Sequence, residues 1–353
     1  MAYKILYIED QIAASIEDDL KKLGYDVKSN DADKFDELMD AINDNYDAYI
    51  LDYRLTANKG RLDAPALAQT MRTKGNNYKA APIFLISYED NLREFDKDLT
   101  SQDLFDFAVS KKEFRQNLPK YSERINSFIL AYKCISESDF DLKKVLAISS
   151  GEIDKLIDYR LIEKLGSEKI KEDTYAYCRF INISLIRCIG PLVGIDILSA
   201  RLGVCKESKD WGKLLDLLEK FKYRGILSDV YNRWWMEEIS NWWTEIAKGK
   251  SLRRLNSKER VAILSSALDF DLNPIEPIKH SKSTNFWSIC SDTKQALDPS
   301  EGYIIDKKDL APWQELEYLS LYAALDQSIY RKYLSPIDRE EIRNIEKDGT
   351  LQS

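Results

Sequence analysis

Tyr49-Ile50-Leu51-Asp52-Tyr53-Arg54-Leu55 is the stretch that decides how this chain is read: an apolar run stops on a carboxylate, and the polar, turn-like Thr56-Ala57-Asn58-Lys59-Gly60 follows. An acid so placed sits at the carboxyl end of a buried strand, where open α/β sheets keep their chemistry. Upstream, Lys4-Ile5-Leu6-Tyr7-Ile8 ends in the acid pair Glu9-Asp10; downstream, Ala81-Pro82-Ile83-Phe84-Leu85-Ile86 ends in the hydroxyl of Ser87. A further apolar segment, Leu104 to Val109, ends in Ser110-Lys111-Lys112. An acid pair, an acid, a hydroxyl and a lysine therefore fall at four strand ends of one expected sheet.

The segments between these strands read as helices. Ile12, Ile16, Leu20 and Leu23 recur at helical spacing before Gly24 closes the helix, and Tyr25 to Lys28 forms a short second strand. Phe35, Leu38, Met39 and Ile42 mark a second helix, and Leu62 to Met71 a third with Pro65 near its first turn. The stretch 90–102 is charged and only weakly amphipathic. Glu113 to Tyr132 is helical, with Leu118, Ile125, Phe128 and Ile129 facing the sheet and Pro119 as an expected break from which the main helix starts. Five βα units are expected.

This succession resembles the response regulator receiver family over roughly residues 1–134. The resemblance implies an α/β receiver domain, flavodoxin-like, with a doubly wound, five-stranded parallel sheet. It also implies that Asp52 is the phospho-accepting nucleophile, that Ser87 hydrogen-bonds a phosphoryl oxygen and that Lys111 pairs with another as a point charge. Mg²⁺ is the implied cofactor. Asp10 would ligate it directly with Asp52, Glu9 would act largely through a metal-bound water, and the backbone carbonyl of Arg54 would complete the protein ligands. Such a domain catalyses its own aspartyl phosphorylation and dephosphorylation, and its implied partner is a sensor histidine kinase or a phosphotransfer protein.

Taken singly, each of these residues has a commoner role: an acid or serine after a strand caps a helix or makes a turn, and a lysine is a solvated charge. Their joint order at the right strand ends is what favours function. The chain departs from the family pattern in three places. Lys112 stands where proline usually follows the lysine, which leaves open whether Lys111 or Lys112 enters the site. Ala108 occupies the usual aromatic position, with Phe107 beside it, and the segment after Asp52 is several residues longer than usual.

Composition bounds the rest. A chain of 353 residues with 44% hydrophobic and 32% charged residues has room for two domains and a sizeable core. Its net charge of −8 disfavours a nucleic-acid partner except at a local basic patch. Five cysteines without CxxC spacing read as reduced thiols, and the N-terminus enters a strand with no signal-peptide pattern, so a cytoplasmic location is expected. The most apolar stretch, Phe180 to Ala200, is interrupted by Arg187, Gly190-Pro191 and Asp196. It is expected to form a buried helix pair and not a membrane span.

From residue 135 to 353 a mainly α-helical output domain is expected, following the receiver without a flexible linker. Helical patterns cover Leu142 to Leu165, Asp173 to Ile189, Ile195 to Leu202, Trp211 to Phe221, Val230 to Ile246, Ser257 to Leu268 and Pro312 to Leu325. A proline-containing, loop-rich layer is expected near 270–313. Trp234, Trp235, Trp242 and Trp243 line one broad helix face, with core packing the commoner role and a partner surface the sharper one. Lys248, Lys250, Arg253 and Arg254 suit a helix C-terminus, with an anion or nucleic-acid contact as the alternative. The single histidine, His280, excludes a His-rich metal site and argues against a phosphate-donating module. The expected function is a two-component response regulator whose helical half contacts an unknown protein partner or forms a homodimer. A receiver-controlled enzyme effector is the alternative, and a DNA-binding regulator ranks third.

Overall fold

Three strands of this chain are apolar but for one terminal residue at most, Lys4 or Ser87, which is what a parallel sheet covered on both faces requires. They are β1 (Lys4–Ile8), β3 (Ala48–Leu51) and β4 (Ile83–Ser87), and from Ile5 onward every residue in them is buried. With β2 (Asp26–Asn30) and β5 (Phe107–Ser110) they form a five-stranded sheet in the order β2-β1-β3-β4-β5, all pairings parallel. The computed structural model describes residues 2–9, 14–30, 41–42, 46–55, 63–73, 80–98, 100–149, 151–167, 169–306 and 310–348. Asp10, Ile12, the helix positions Phe35, Leu38 and Met39, the Thr56 to Gly60 stretch and Leu62 lie outside them.

The described helices that follow the strands are α1 (Ala14–Lys22), α2 (Ala64–Thr73), α3 (Glu89–Phe95), α4 (Lys111–Gln116) and α5 (Leu118–Glu137). One face of the sheet buries Leu6, Ile8, Tyr49, Leu51, Ile83 and Leu85 against Ala64, Leu67 and Ala68 of α2 and Phe95 of α3. On β5 and α5 the aromatic packing is dense: Phe84 stacks on Phe107 at 4.4 Å between ring centroids and meets Phe128 edge-on at 5.9 Å. Pro119 lies in the first turn of α5, as its missing N–H favours, and the preceding short helix α4 is capped by Ser110, whose Oγ accepts from Glu113 N at 3.1 Å. The expected weak helix at 90–102 is the seven-residue α3, and the fifth strand starts at Phe107, with Leu104 in a 3₁₀ turn.

The chain divides into two compact units. One comprises Met1–Ala147, Leu165–Phe180 and Gly225–Val230; the other comprises Ile148–Lys164, Ile181–Arg224 and Tyr231–Ser353. The boundary expected at residue 134 falls inside α5, and α6 (Thr174–Ile181) lies almost wholly in the first unit. Within that unit Tyr177 of α6 donates to the Phe140 carbonyl at 3.0 Å.

The second unit is mostly helical, with main helices at Ile195–Leu202, Trp211–Leu218, Met236–Ile246, Ser257–Leu268 and Pro336–Asp348. Two expected helices give way in part to strand. Trp234–Trp235 is a strand paired antiparallel with Leu192–Val193, and the helix begins only at Met236, whose N–H donates to the Pro191 carbonyl at 2.9 Å. Glu317–Ser320 pairs with Gly302–Ile305, leaving helix only over Leu321–Leu325. Trp234, Trp242 and Trp243 are core residues together with Ile239 and Leu264, so packing is their role here. All five cysteines are free thiols. No helix among the described residues is long and apolar enough to cross a membrane.

Candidate functional site

In a sheet of this strand order the chain reverses direction of winding between β1 and β3, and the carboxyl ends of those strands open a crevice. Glu9 follows β1 there and Asp52 follows β3. Their backbones are fixed by the sheet itself: Asp52 N donates to the Ile8 carbonyl at 2.9 Å, and Glu9 N donates to the Asn30 carbonyl at 3.3 Å. Ser87 is the last residue of β4, in register with Ser110 of β5, so Lys111 emerges beside it.

These four side chains converge, and all are buried. Lys111 Nζ hydrogen-bonds Glu9 and forms an ion pair with Asp52. The other Asp52 oxygen, Oδ1, accepts from Ser87 Oγ at 2.5 Å and from the backbone N–H of Tyr53 at 2.6 Å. Ser87 Oγ in turn accepts from Asn91 Nδ2 of α3 at 3.0 Å. Burial pushes the Lys111 ammonium down, but hydrogen bonds to Asp52 and Glu9 outweigh it and leave the group raised above its ordinary value. Tyr7 donates its hydroxyl to Glu9; burial first, and the Glu9 charge second, raise that phenol far above its usual range.

Lys111, not Lys112, faces the sheet ends; Lys112 is exposed. The reason is local. Ser110 caps α4, which makes Lys111 the first helical residue and directs Lys112 outward. Arg54 lies two residues past Asp52, with its guanidinium paired to Asp63 at 3.0 Å and Glu94 at 2.7 Å. Asp10 lies outside the described residues.

Two buried carboxylates share one ammonium, so the described site carries an uncompensated negative charge. Such a site suits a hard cation, since carboxylate oxygens are the donors Mg²⁺ selects. Among the described residues, no three His, Cys, Asp or Glu side chains gather closely enough to hold a metal. The described contribution is therefore Glu9 and Asp52, which fits an ion that keeps several waters. Chemically the arrangement offers a carboxylate nucleophile with a hydroxyl, a backbone N–H and an ammonium around it.

Three participants were not singled out from the sequence: Tyr7, Asn91 and Tyr88. Tyr88 follows Ser87 directly and its ring lies 4.3 Å from Lys111 Nζ, measured to the centroid. Adjacency to Ser87 was the available signal for Tyr88 and α3 register for Asn91. The inward alternation of β1 would have pointed to Tyr7. Cys290 is buried against Ser320, whose Oγ lies 3.3 Å from its sulfur.

No family model matches the sequence, and no curated protein matches it. Solved structures do match about a third of the chain or somewhat more. A receiver domain of a sensor histidine kinase from Pseudomonas aeruginosa PAO1, described with a magnesium ion coordinated in the active-site cleft, is 24% identical and covers 35% of this chain and 98% of its own, with a TM-score of 0.29. A response regulator from Thermotoga maritima, in complex with Mg²⁺ and beryllofluoride, is 24% identical over 34% of this chain and 98% of its own, with a TM-score of 0.27. A protein described as an adenylate cyclase from Rhodopirellula baltica is 14% identical over 41% of this chain and 99% of its own, with a TM-score of 0.31.

Proposed function

We propose that the first unit is the phospho-acceptor domain of a two-component response regulator, with Asp52 as the acceptor. One observation carries the reading: Asp52, at the end of β3, is held at one oxygen by Ser87 and the Tyr53 N–H and at the other by Lys111, which it shares with Glu9. In the transfer an Asp52 oxygen forms a bond to phosphorus as the donor's P–N bond (a phosphohistidine) or P–O bond (an acyl phosphate) breaks, and the leaving group takes the electron pair. The donor in a cell would be a sensor histidine kinase or a phosphotransfer protein.

A bound Mg²⁺ would neutralise charge on the transferring group, and Glu9, Asp10, Asp52 and the Arg54 carbonyl are the residues assigned to hold it. Ser87 would exchange its bond to Asp52 for one to a phosphoryl oxygen, guided by Asn91. Lys111 would supply a fixed positive charge to another oxygen. Burial makes each of these contacts count for more than it would in water.

The second unit is assigned a protein-interaction output. Ile329, Tyr333 and Ile337 are apolar side chains left exposed along its C-terminal segment, at 74%, 48% and 80%. Isothermal titration of the full chain with beryllofluoride and Mg²⁺ tests the acceptor assignment. Binding that is saturable, needs Mg²⁺ and is lost in Asp52→Asn is the expected result. Equal binding in Asp52→Asn would remove Asp52 from the role.

A further inference from the structure

Lys111 is held by more than its two carboxylates. A lysine ammonium has three N–H donors and no acceptor. Among the described residues Glu9, Asp52 and the face of Tyr88 account for all three. The lysine side chain is 5% exposed, whereas Tyr88 is 58% exposed, so the ring is the outermost of the three.

A phosphoryl oxygen that accepts from Lys111 has to displace one of these partners. Displacing Glu9 leaves a buried carboxylate without its counter-ion, which is the costly choice, and Asp52 stays beside Lys111 because its own oxygen carries the phosphoryl group. The contact with the ring is the weakest of the three. Tyr88 is also free to give way. Its backbone is extended (φ −71, ψ 153) at the start of α3, and its side chain makes no capping hydrogen bond.

We infer that Tyr88 is a positioning residue of this site: its ring holds Lys111 over Asp52 and is the group that an incoming phosphoryl oxygen displaces, so that acceptance at Asp52 turns an exposed ring outward. This rests on the phospho-acceptor reading. It adds no bond change to the transfer. One hydrogen bond to a phosphoryl oxygen replaces one cation–π contact. Because Tyr88 is joined to Ser87 and touches Lys111, its ring follows both groups that meet the phosphoryl oxygens, and it does so at the surface where a donor or partner arrives.

Three variants of the full chain separate this from a steric or structural role. Tyr88→Phe keeps the ring, Tyr88→Leu keeps bulk without a π face, and Tyr88→Ala removes both. Mg²⁺-dependent beryllofluoride affinity is expected to be unchanged in Tyr88→Phe. It is expected to tighten in Tyr88→Leu and Tyr88→Ala by roughly 2- to 30-fold, the range a cation–π contact spans. In metal-free protein, acylation of Lys111 mapped by mass spectrometry is expected to speed up in Tyr88→Ala and to match the parent in Tyr88→Phe. Equal or weaker beryllofluoride binding in Tyr88→Leu and Tyr88→Ala overturns the role of Tyr88 while leaving Asp52 as acceptor. Tightening in Tyr88→Ala alone makes the ring a steric plug and overturns the displacement. Unchanged Lys111 labelling overturns the claim that the ring covers it. No beryllofluoride binding by the parent or any variant overturns the acceptor reading, and this inference with it.

Discussion

Arg72 Nη2 lies 3.0 Å from Asp106 Oδ2 at the end of the sheet opposite Asp52, with the two side chains only 9% and 2% exposed. Arg72 also donates to the carbonyls of Leu104 at 3.3 Å and Ala81 at 3.2 Å, and its guanidinium lies 3.7 Å from the ring centroid of Tyr175 in α6. Asp106 accepts from Ile83 N at 2.9 Å and from the Tyr132 hydroxyl at 2.9 Å. One ion pair thus joins α2, β4, β5, α5 and α6 within the first unit.

Arg72→Ala is therefore expected to destabilise the first unit by about 3–5 kcal/mol, because it leaves Asp106 buried without its counter-ion. Tyr175→Ala removes only the ring contact and is expected to cost about 1–2 kcal/mol. Denaturant unfolding of the full chain, followed by hydrogen exchange in α6, checks both. Equal and small losses in the two variants would show that α6 is not held through Arg72.

Lys111→Met should uncouple the two buried carboxylates from their shared charge, at a cost of about 3–5 kcal/mol in metal-free protein. Mg²⁺ should stabilise this variant more than the parent, since the cation takes over the neutralising role. The pH dependence has a fixed sign. The folded-state value of Lys111 is raised above its ordinary 10.5, so its contribution is fully present below about pH 10.5 and fades as pH rises through the raised value. Melting curves of parent and variant should run parallel through neutral pH and converge only in strong alkali.

In the second unit Arg260 is fully buried and donates to four carbonyls: Leu252 at 3.1 Å, Ala200 at 3.2 Å, Arg201 at 3.0 Å and Phe286 at 2.7 Å. Burial lowers its guanidinium to about 10, still charged at neutral pH. Arg260→Met should cost more than about 3 kcal/mol, since each orphaned buried carbonyl costs about 1–3 kcal/mol. Arg260→Lys should cost less than Arg260→Met, because three of the four carbonyls meet Nη1 alone and an ammonium carries three donors. Thermal unfolding of the three proteins decides it.

The sheet was legible because its strands are short apolar runs that end in polar groups, a pattern local to each segment. Asp52, Ser87 and Glu9 could be placed for the same reason. Trp234 and Trp235 were misread as helix since their spacing from Trp242 and Trp243 fits a helical face. Their strand partners, Leu192 and Val193, are distant in sequence, so nothing local signals the pairing. Buried Arg72, Arg201 and Arg260 had no local signal either. An arginine on a helix reads as solvated until the carbonyls it serves are known, and those come from other elements. Lys111 and Lys112 could not be told apart until the Ser110 cap fixed where α4 begins.

Whether Asp52 accepts a phosphoryl group is read by mass spectrometry of the full chain after incubation with acetyl phosphate. One phosphoryl group per chain is expected, formed only with Mg²⁺, released by hydroxylamine and mapped to the peptide containing Asp52. A label on another residue, undiminished labelling in Asp52→Asn, or labelling indifferent to Mg²⁺ would remove Asp52 from the role.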